Sequence, residues 1–372
     1  RNPPQGMSAP SFLLIVGDVN LLPPFHSEFG QHVTDLYYAE YSGDKLPELF
    51  YGRFPASNVA ELQVMMDKTL EYEKYTMPDP SYLGKAALIS GTDASHQLNW
   101  SNGQIRYASE NYFNAAQNID ASVVLQPSTI ADVDRAMQSI VSGVGFANYT
   151  AHCNAAGWSN PKLTTAELSN LQNDHKYTLM IGNCCQSARF DQDCFAKAVL
   201  TLPGKGAIGY IGGSNDTYWD EDFWWSTGFK AITGSPSYNA QQPGALDGAF
   251  HTHNEGSDKW FITQGQLLVA GNLAVEQSNS TLKSYYWEIY CLMGDPSLSM
   301  YYGIPKPLTH SYPQLLPIGA TSFIIQTEPY AYAAISMNGK LYGAAMASTD
   351  ADAQLLLAAA KGDTDEVGPP CA

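Results

Sequence analysis

Short apolar runs alternate with longer amphipathic segments through the first three hundred residues. A short apolar run is typical of a buried strand, and apolar residues spaced three or four apart indicate a helix. The runs predicted as strands are 11–16, 85–90, 122–125, 145–150, 177–181 and 206–211. The segments predicted as helices are 57–76, 103–117, the stretch after Thr129, the stretch that begins near 164, and 191–200. This alternation predicts an α/β fold, in which helices cover both faces of a mostly parallel sheet.

Two of the predicted helices begin with residues suited to capping. Ser57 is the expected N-cap of the helix over 57–76, because its hydroxyl can accept from a free amide of the first turn. Thr164 and Glu167 have the spacing of a capping box, which predicts that an α-helix follows them.

The pattern changes after residue 303. Prolines at 305, 307, 313 and 317 are typical of a linker, and short strand-like runs follow at 322–326, 333–336 and 340–342. Asn338 and Gly339 lie between the last two runs and form a typical hairpin turn. We therefore predict a first domain over 1–302, a small β-sandwich over 303–360 and a tail over 361–372.

Charge excludes two classes of partner. The 372 residues carry 36 acidic and 19 basic side chains, a net charge of −17. Binding of nucleic acid or of an anionic membrane needs clustered cations, so we expect neither partner. No apolar run approaches the roughly 18 residues that a membrane span needs. The negative charge is compatible with a cationic substrate, although solubility alone also explains it.

The six cysteines are too few for a disulfide scaffold. No C-x-x-C pair occurs among them, which argues against a zinc cluster.

Side chains that could take part in catalysis follow three of the predicted strands. Asp93, His152 and the adjacent Cys184 and Cys185 each follow a strand, and sites of open α/β sheets form at such carboxyl ends. A cysteine, a base and an orienting carboxylate are the parts of an activated thiol nucleophile. Two plainer interpretations remain open, namely cysteines buried as small apolar residues and Asp93 as a turn residue. Spacing does not choose between the two adjacent cysteines.

Several motifs, in order along the chain, resemble the gingipain family of cysteine peptidases, and within it the lysine-specific catalytic domain. They are VTDLYY at 33–38, YEK at 72–74, GTD at 91–93, NYTAH at 148–152, LTT at 163–165, IGNCC at 181–185, YWDED at 218–222 and LMGDPS at 292–297. The resemblance covers about residues 10–302 and continues more weakly to about 350. It implies a caspase-like peptidase domain followed by an immunoglobulin-like domain over 303–360.

The resemblance also implies catalytic roles. Cys185 would be the nucleophile, His152 the general base and acid, and Asp93 the partner of His152. The oxyanion hole would consist of the backbone N–H groups of Cys153 and Cys185, where negative charge develops in the transition state.

Residue 153 departs from the family, which has glycine directly after the catalytic histidine. One hypothesis is that the thiol of Cys153 forms a reversible disulfide with Cys185 and inactivates the enzyme. The other is that Cys153 turns its side chain away while its amide still donates.

A substrate pocket is implied in the same way. Asp222 would receive the ammonium group of a substrate lysine, because a buried carboxylate selects a cation. The plainer interpretation is an exposed acid within the acidic run 220–222. The remaining residues that would line the pocket are Thr150, Trp219, Tyr218 and Asn183.

A structural Ca²⁺ is implied at residues 42–48, with Asp44, Glu48 and the carbonyl of Leu46 as oxygen ligands. Ser42 stands where the family has an acid. No cofactor is expected for catalysis.

Together these features predict a cysteine endopeptidase, secreted or on the bacterial cell surface, that cleaves after Lys through a thioester. Its substrates would be proteins or peptides with Lys at P1. Two alternatives stay open: a catalytically inactive relative that binds or adheres, and an active peptidase with a different P1 preference. The family's catalytic chain begins well before the strand over 12–16, so the sequence leaves open whether N-terminal parts of the fold, or parts of the sandwich, are missing.

Overall fold

The computed structural model describes residues 9–27, 30, 32–315, 320, 322–348 and 352–356. Two compact units are present, of which the larger is Phe12–Ile304. Its strands are β1 (Phe12–Val16), β2 (Phe25–His26), β3 (Val33–Thr34), β4 (Phe50–Phe54), β5 (Lys85–Ser90), β6 (Asp120–Val124), β7 (Phe146–Thr150), β8 (Cys153–Asn154), β9 (Gly157–Ser159), β10 (Lys162–Thr164), β11 (Thr178–Asn183), β12 (Ala207–Gly213) and β13 (Tyr290–Gly294). Its α-helices are α1 (Val59–Glu73), α2 (Asn102–Asn111), α3 (Ile130–Ser142), α4 (Phe195–Leu200), α5 (Trp219–Thr227), α6 (Ala245–Phe250), α7 (Gln264–Glu276) and α8 (Lys283–Ile289).

Eight strands form the central sheet in the order β1-β4-β13-β12-β11-β7-β5-β6. Neighbouring strands run parallel, except that β13 is antiparallel to β12. The predicted mostly parallel sheet is therefore confirmed.

Side chains of the central strands alternate between two apolar cores. Leu179 and Ile181 of β11 lie in one core with residues of α2, α6 and α7, whereas Met180 lies in the other with residues of α1, α3 and α4. This two-sided burial explains why the strands appear in the sequence as continuous apolar runs. Among the described residues, no helix is long and apolar enough to cross a membrane.

Two predicted helix starts are wrong in detail. Asn58, not Ser57, is the N-cap of α1, because its side chain accepts from the amide of Glu61. At 164 the predicted α-helix is only a 3₁₀ turn, Glu167–Asn170. Glu167 does accept from the amide of Thr164 at 2.9 Å, so the local hydrogen bond forms. The chain leaves the helical conformation at Leu171, which is extended, and the amide of Gln172 donates to the carbonyl of Val141 at 2.8 Å.

The predicted helix over 103–117 is also too long. It ends at Asn111, and a separate 3₁₀ turn, Ala115–Gln117, follows it. Asn114 caps this turn by accepting from the amide of Ala116.

The smaller unit contains the residues from Pro305 onward. Its strands are β14 (His310–Ser311), β15 (Ser322–Thr327), β16 (Tyr332–Met337), β17 (Lys340–Met346) and β18 (Asp352–Leu356). They form a three-stranded sheet, β14-β15-β18, and the hairpin β16-β17. Asn338 and Gly339 both have positive φ, as the predicted hairpin turn requires. The immunoglobulin-like architecture stays a prediction, and the predicted tail over 361–372 lies outside the described residues.

A buried ion pair joins β4 to the residue after β3, and the same guanidinium also binds the loop after β1. Arg53 contacts both carboxylate oxygens of Asp35, at 2.6 and 2.7 Å. Its remaining guanidinium nitrogen donates to the carbonyls of Gly17 and Leu22 at 2.6 and 3.0 Å. Both charged side chains are almost inaccessible to water, so removal of either one leaves the other charge buried and unpaired.

We expect Arg53→Met to lower the free energy of unfolding by about 3–5 kcal/mol, because Asp35 loses its buried partner. Urea denaturation followed by circular dichroism measures this change. Arg135→Met is the matched control, since Arg135 pairs with Asp132 at an exposed surface and the loss should stay below about 1 kcal/mol. Equal losses in the two variants would contradict the assigned role of Arg53.

Candidate active site

The candidate site begins at the carboxyl ends of β5, β7 and β11, which are neighbours in the sheet. Ser90 and Asn183 both pair with Thr150 in the strand register. The predicted catalytic groups follow this row of three residues closely: Asp93 is three residues beyond Ser90, and His152 and Cys185 are two residues beyond their strand ends. The topology therefore brings the three predicted loops to one edge of the sheet.

Asp93 and His152 form a direct pair. Nε2 of His152 lies 2.8 Å from Oδ2 of Asp93. Oδ1 of Asp93 accepts from the backbone amides of Ser95 and His96 at 2.9 and 2.7 Å. Although partial burial raises the pKa of Asp93, the hydrogen bonds from His152 and from these amides hold that pKa well below its usual value. The carboxylate is thus charged and can orient the imidazole ring of His152.

Gly91 permits this pairing sterically. A Cβ atom at position 91 would lie 2.5 Å from the Cβ of Ala151 and 2.7 Å from the carbonyl oxygen of Asn160. The loop that carries Asp93 therefore packs directly against the segment that carries His152, and only glycine allows this approach.

A second histidine, which the sequence analysis missed, shares Asp93. Nδ1 of His96 lies 3.0 Å from Oδ1 of Asp93. The ring of Trp219 stacks on His96 at 4.9 Å and meets His152 edge to face at 5.5 Å. Trp219, predicted as a pocket residue, thus also contacts His152, the predicted general base. The spacing Asp93-x-x-His96 in a turn was the available signal.

Cys153 and Cys184 form a disulfide bond, and their Cα atoms are 5.2 Å apart. The hypothesis of a Cys153–Cys185 disulfide is therefore wrong for this structure. The side chain of Cys153 turns to Cys184 instead, and donation by its amide stays a prediction. Cys184 is completely buried, whereas Cys185 is partly accessible and free. Of the adjacent pair, only Cys185 retains a thiol that could act as a nucleophile.

The thiol of Cys185 has a polar neighbour and an acidic one. Its Sγ lies 3.8 Å from the carbonyl oxygen of Thr217. Burial raises the pKa of Cys185 above its usual value, and the negative charge of Asp222 acts in the same direction. Ionisation of the thiol is therefore unfavourable in the absence of a base close to it.

Asp222 lies on α5 and is only 4% exposed, so the interpretation as a surface acid is wrong. Its Oδ1 lies 2.7 Å from the hydroxyl of Tyr290 and 3.0 Å from that of Tyr286. Its Oδ2 accepts from the hydroxyl of Thr217 at 2.7 Å. Burial raises the pKa of Asp222 to about 7, against the opposing effect of these hydrogen bonds.

The other predicted pocket residues differ in their roles. The hydroxyl of Thr150 is buried and has no hydrogen-bond partner among the residues that the structure describes. The side-chain amide of Asn183 donates to Gln104 and Ser226, at 2.8 and 2.5 Å. Gln104 and Ser226 were missed, because nothing in their spacing relates them to β11. Tyr218 has an exposed ring, and its backbone amide donates to the hydroxyl of Tyr286.

The predicted calcium loop holds a cluster of three carboxylates. Oxygens of Glu40, Asp44 and Glu48 all lie within 4.8 Å of one another. Asp44 and Glu48 were predicted, whereas Glu40 was missed because it precedes the motif. The backbone amide of Leu46 donates to Asp44 at 2.9 Å. The hydroxyl of Ser42 donates to Glu48 and helps to lower the pKa of that carboxyl.

The profile of Peptidase family C25 matches residues 1–301 of the chain. The chain belongs to peptidase family C25. It is 38% identical over 350 residues to Lys-gingipain of Porphyromonas gingivalis, which covers 92% of this chain and 20% of that protein. The chain thus spans about a fifth of the length of the Lys-gingipain that it matches. The resemblance to the gingipain family stated from the motifs is confirmed.

Solved structures confirm the fold. A protease structure that is 36% identical superposes with a TM-score of 0.85 and covers 94% of this chain and 78% of that chain. The crystal structure of an Arg-specific cysteine proteinase, gingipain R, is 19% identical and has a TM-score of 0.73. That match covers 94% of this chain and 77% of that chain, and at this identity it shows the fold alone.

We expect alkylation of the native, unreduced protein to modify Cys185 selectively. Cys194 and Cys291 are buried, and Cys153 and Cys184 are bonded to each other. The rate should rise with pH beyond the ordinary thiol range of about 8.5, because burial raises the pKa of Cys185. Mass spectrometry after treatment with iodoacetamide measures the site and the rate.

This labelling should be carried out in a Cys371→Ser background, since Cys371 lies outside the described residues. Cys185→Ser should abolish labelling, and Cys194→Ser should leave it unchanged. Labelling at Cys153 or Cys184 without reductant would contradict the disulfide assignment.

Proposed function

We propose that this chain is a cysteine endopeptidase that cleaves peptide bonds after Lys. The observation that carries the proposal is the Asp93–His152 pair at the same sheet edge as Cys185, the free thiol of the adjacent cysteine pair. Membership of a peptidase family and 38% identity to Lys-gingipain support the reaction and the P1 residue.

In the proposed mechanism, His152 accepts the proton of the Cys185 thiol and the thiolate attacks the scissile carbonyl carbon. Backbone amides of Cys153 and Cys185 donate to the oxyanion of the tetrahedral intermediate. His152 then protonates the leaving amine, and the C–N bond breaks to give a thioester. Water, deprotonated by His152, hydrolyses the thioester and restores the thiol. Asp93 keeps the imidazole oriented throughout.

The proposed specificity depends on Asp222 and Thr150. Asp222 is a buried carboxylate that several hydroxyl groups already hold in position. Thr150 offers a buried hydroxyl with no partner in the described structure, which a substrate ammonium can satisfy. A neutral side chain in this pocket would leave the buried charge of Asp222 without a counter-ion and the hydroxyl of Thr150 without a partner, so the pocket favours Lys.

We expect Asp222→Asn to lower kcat/KM for a lysyl anilide by about 10²-fold or more, since loss of one partner of a buried charge pair costs about 2–5 kcal/mol. The wild-type KM should fall as pH rises through about 7, because Asp222 becomes ionised there. The variant should lose this pH dependence. Steady-state kinetics between pH 5.5 and 8.5 measures both effects.

Asp220→Asn is the matched control, because Asp220 is an exposed acid on the same helix, and its kcat/KM should change by less than about twofold. Retained Lys selectivity in Asp222→Asn would contradict the pocket assignment. Absence of both turnover and labelling of Cys185 by a lysyl chloromethyl ketone would favour an inactive binding protein. Turnover after other residues would favour a different P1 preference.

The proposed location is outside the cytoplasm, either secreted or on a bacterial cell surface. The Cys153–Cys184 disulfide supports this location, because such bonds persist mainly in oxidising compartments.

We also infer a structural Ca²⁺ held by Glu40, Asp44 and Glu48. Their carboxylates supply the hard oxygen ligands that Ca²⁺ prefers, and the exposure of Asp44 and Glu48 leaves room for water ligands. The ion would neutralise the mutual repulsion of the three acids and so stabilise the loop before β4.

Addition of Ca²⁺ to chelator-treated protein should raise Tm, with a stabilisation of about 2.7 kcal/mol at one hundred times Kd. Glu40→Gln should weaken this response, whereas Glu110→Gln, at an exposed position of α2, should preserve it. Differential scanning calorimetry with Ca²⁺ and with Mg²⁺ measures the effect. Equal responses in the two variants would contradict the assigned ligands.

A further inference from the structure

Beyond the row of Ser90, Thr150 and Asn183, the segment that carries His152 and the segment that carries Cys185 are no longer paired with each other. The parallel hydrogen-bonded ladder between β7 and β11 ends at the pair Thr150 and Asn183. Among the hydrogen bonds of the described residues, none joins residues 151–154 to residues 184–187.

Each of the two segments has hydrogen bonds of its own to other parts of the fold. The carbonyl of His152 accepts from the amide of Ser159 at 3.0 Å and from the hydroxyl of Tyr149 at 2.9 Å. The amide of Gln186 donates to the carbonyl of Asn215 at 3.0 Å, in the loop after β12. The first turn of α4 contacts both loops, because the amides of Phe195 and Ala196 donate to the carbonyls of Ala155 and Ser187 at 2.8 and 3.1 Å. Both contacts lie two or three residues beyond His152 and Cys185, so they hold the distance between the two reacting groups only indirectly.

The Cys153–Cys184 disulfide joins the same two segments directly and closer to the reacting groups. Cys153 is the residue directly after His152, and Cys184 is the residue directly before Cys185. The bond therefore joins the two catalytic segments covalently, one residue away from each reacting group. Cys184 is fully buried in the same apolar core as Tyr149 and Ala151, so this end of the link is held firmly by packing.

We propose that the Cys153–Cys184 disulfide is a positioning element of the catalytic site, and that the oxidised form is the competent one. This inference depends on the function proposed above. Proton transfer between Cys185 and His152 requires their separation to be held within a fraction of an ångström. A displacement of about 1 Å costs on the order of 10²-fold in rate.

The proposal assigns two opposite effects to a reductant. A dithiol keeps Cys185 as a thiol, which the reaction needs. The same dithiol can also break the Cys153–Cys184 bond: two electrons and two protons pass to the two sulfur atoms, and the dithiol becomes a cyclic disulfide. Activity should therefore rise at low dithiol concentration and fall at high concentration as this bond is reduced.

The test compares the wild type with a Cys153→Ala, Cys184→Ala double variant, in which neither partner of the disulfide is left as an unpaired thiol. Active sites are first counted with a lysyl chloromethyl ketone, and kcat and KM are then measured per titrated site. We expect kcat of the double variant to fall by roughly 10- to 100-fold while KM changes by less than about threefold. The double variant should also lose the inhibition at high dithiol concentration.

Cys194→Ala is the matched control, because it removes a buried free cysteine outside the site, and its kcat should stay near the wild-type value. A purely structural role would lower Tm of the double variant without changing kcat per titrated site well below Tm. Unchanged kcat would therefore overturn the proposal, as would peptide mapping that finds Cys153 and Cys184 unbonded in active protein.

If the double variant does not fold, reversible reduction of the wild type replaces it. Turnover should fall in step with the appearance of two new thiols and should return on reoxidation. Full activity with all thiols reduced would overturn the proposal. Failure of the proposed function is distinguishable, because the oxidised wild type would then show neither turnover nor active-site labelling.

Discussion

The hydrogen-bonded register of β5, β7 and β11 determines where the three loops with the predicted catalytic residues lie. Ser90, Thr150 and Asn183 form one row across the three strands, and each chain continues from that row into a short loop with one predicted catalytic residue. A slip of one residue in any strand would turn its side chains to the opposite face of the sheet. Burial of both faces under helices prevents such a slip. The packing of the two apolar cores therefore also sets the geometry of the site.

Within this frame, neighbouring groups give two aspartates opposite properties. Backbone amides and His152 surround Asp93 and hold its pKa low, so it remains an anion that orients a ring. Burial of Asp222 raises its pKa to about 7, so its charge is costly without a cationic partner. The residue type is the same in both places, and desolvation and hydrogen bonding decide the difference.

The cysteines show a similar division. Cys184 and Cys185 are adjacent in the chain, yet one is buried in an apolar core and bonded to Cys153, and the other is partly accessible at the sheet edge. This arrangement explains what the cysteine at residue 153, where the family has glycine, does in the structure: it bonds to Cys184. A cysteine after His152 does not compete for Cys185, because Cys184 occupies the position from which a bond to Cys153 can form.

The sequence by itself determined the mostly parallel sheet, the family, and the segments that meet at the site, because strand periodicity and short motifs are local properties. Its errors were also local signals that packing overrode, such as the capping box at Thr164 that leads only to a 3₁₀ turn. The tertiary structure alone decided which cysteine pairs with Cys153, that His96 shares Asp93, that Glu40 joins the acidic cluster, and that Asp222 is buried. Each of these depends on contacts between segments distant in sequence or on the path of a turn, and spacing along the chain carries no information about such distances.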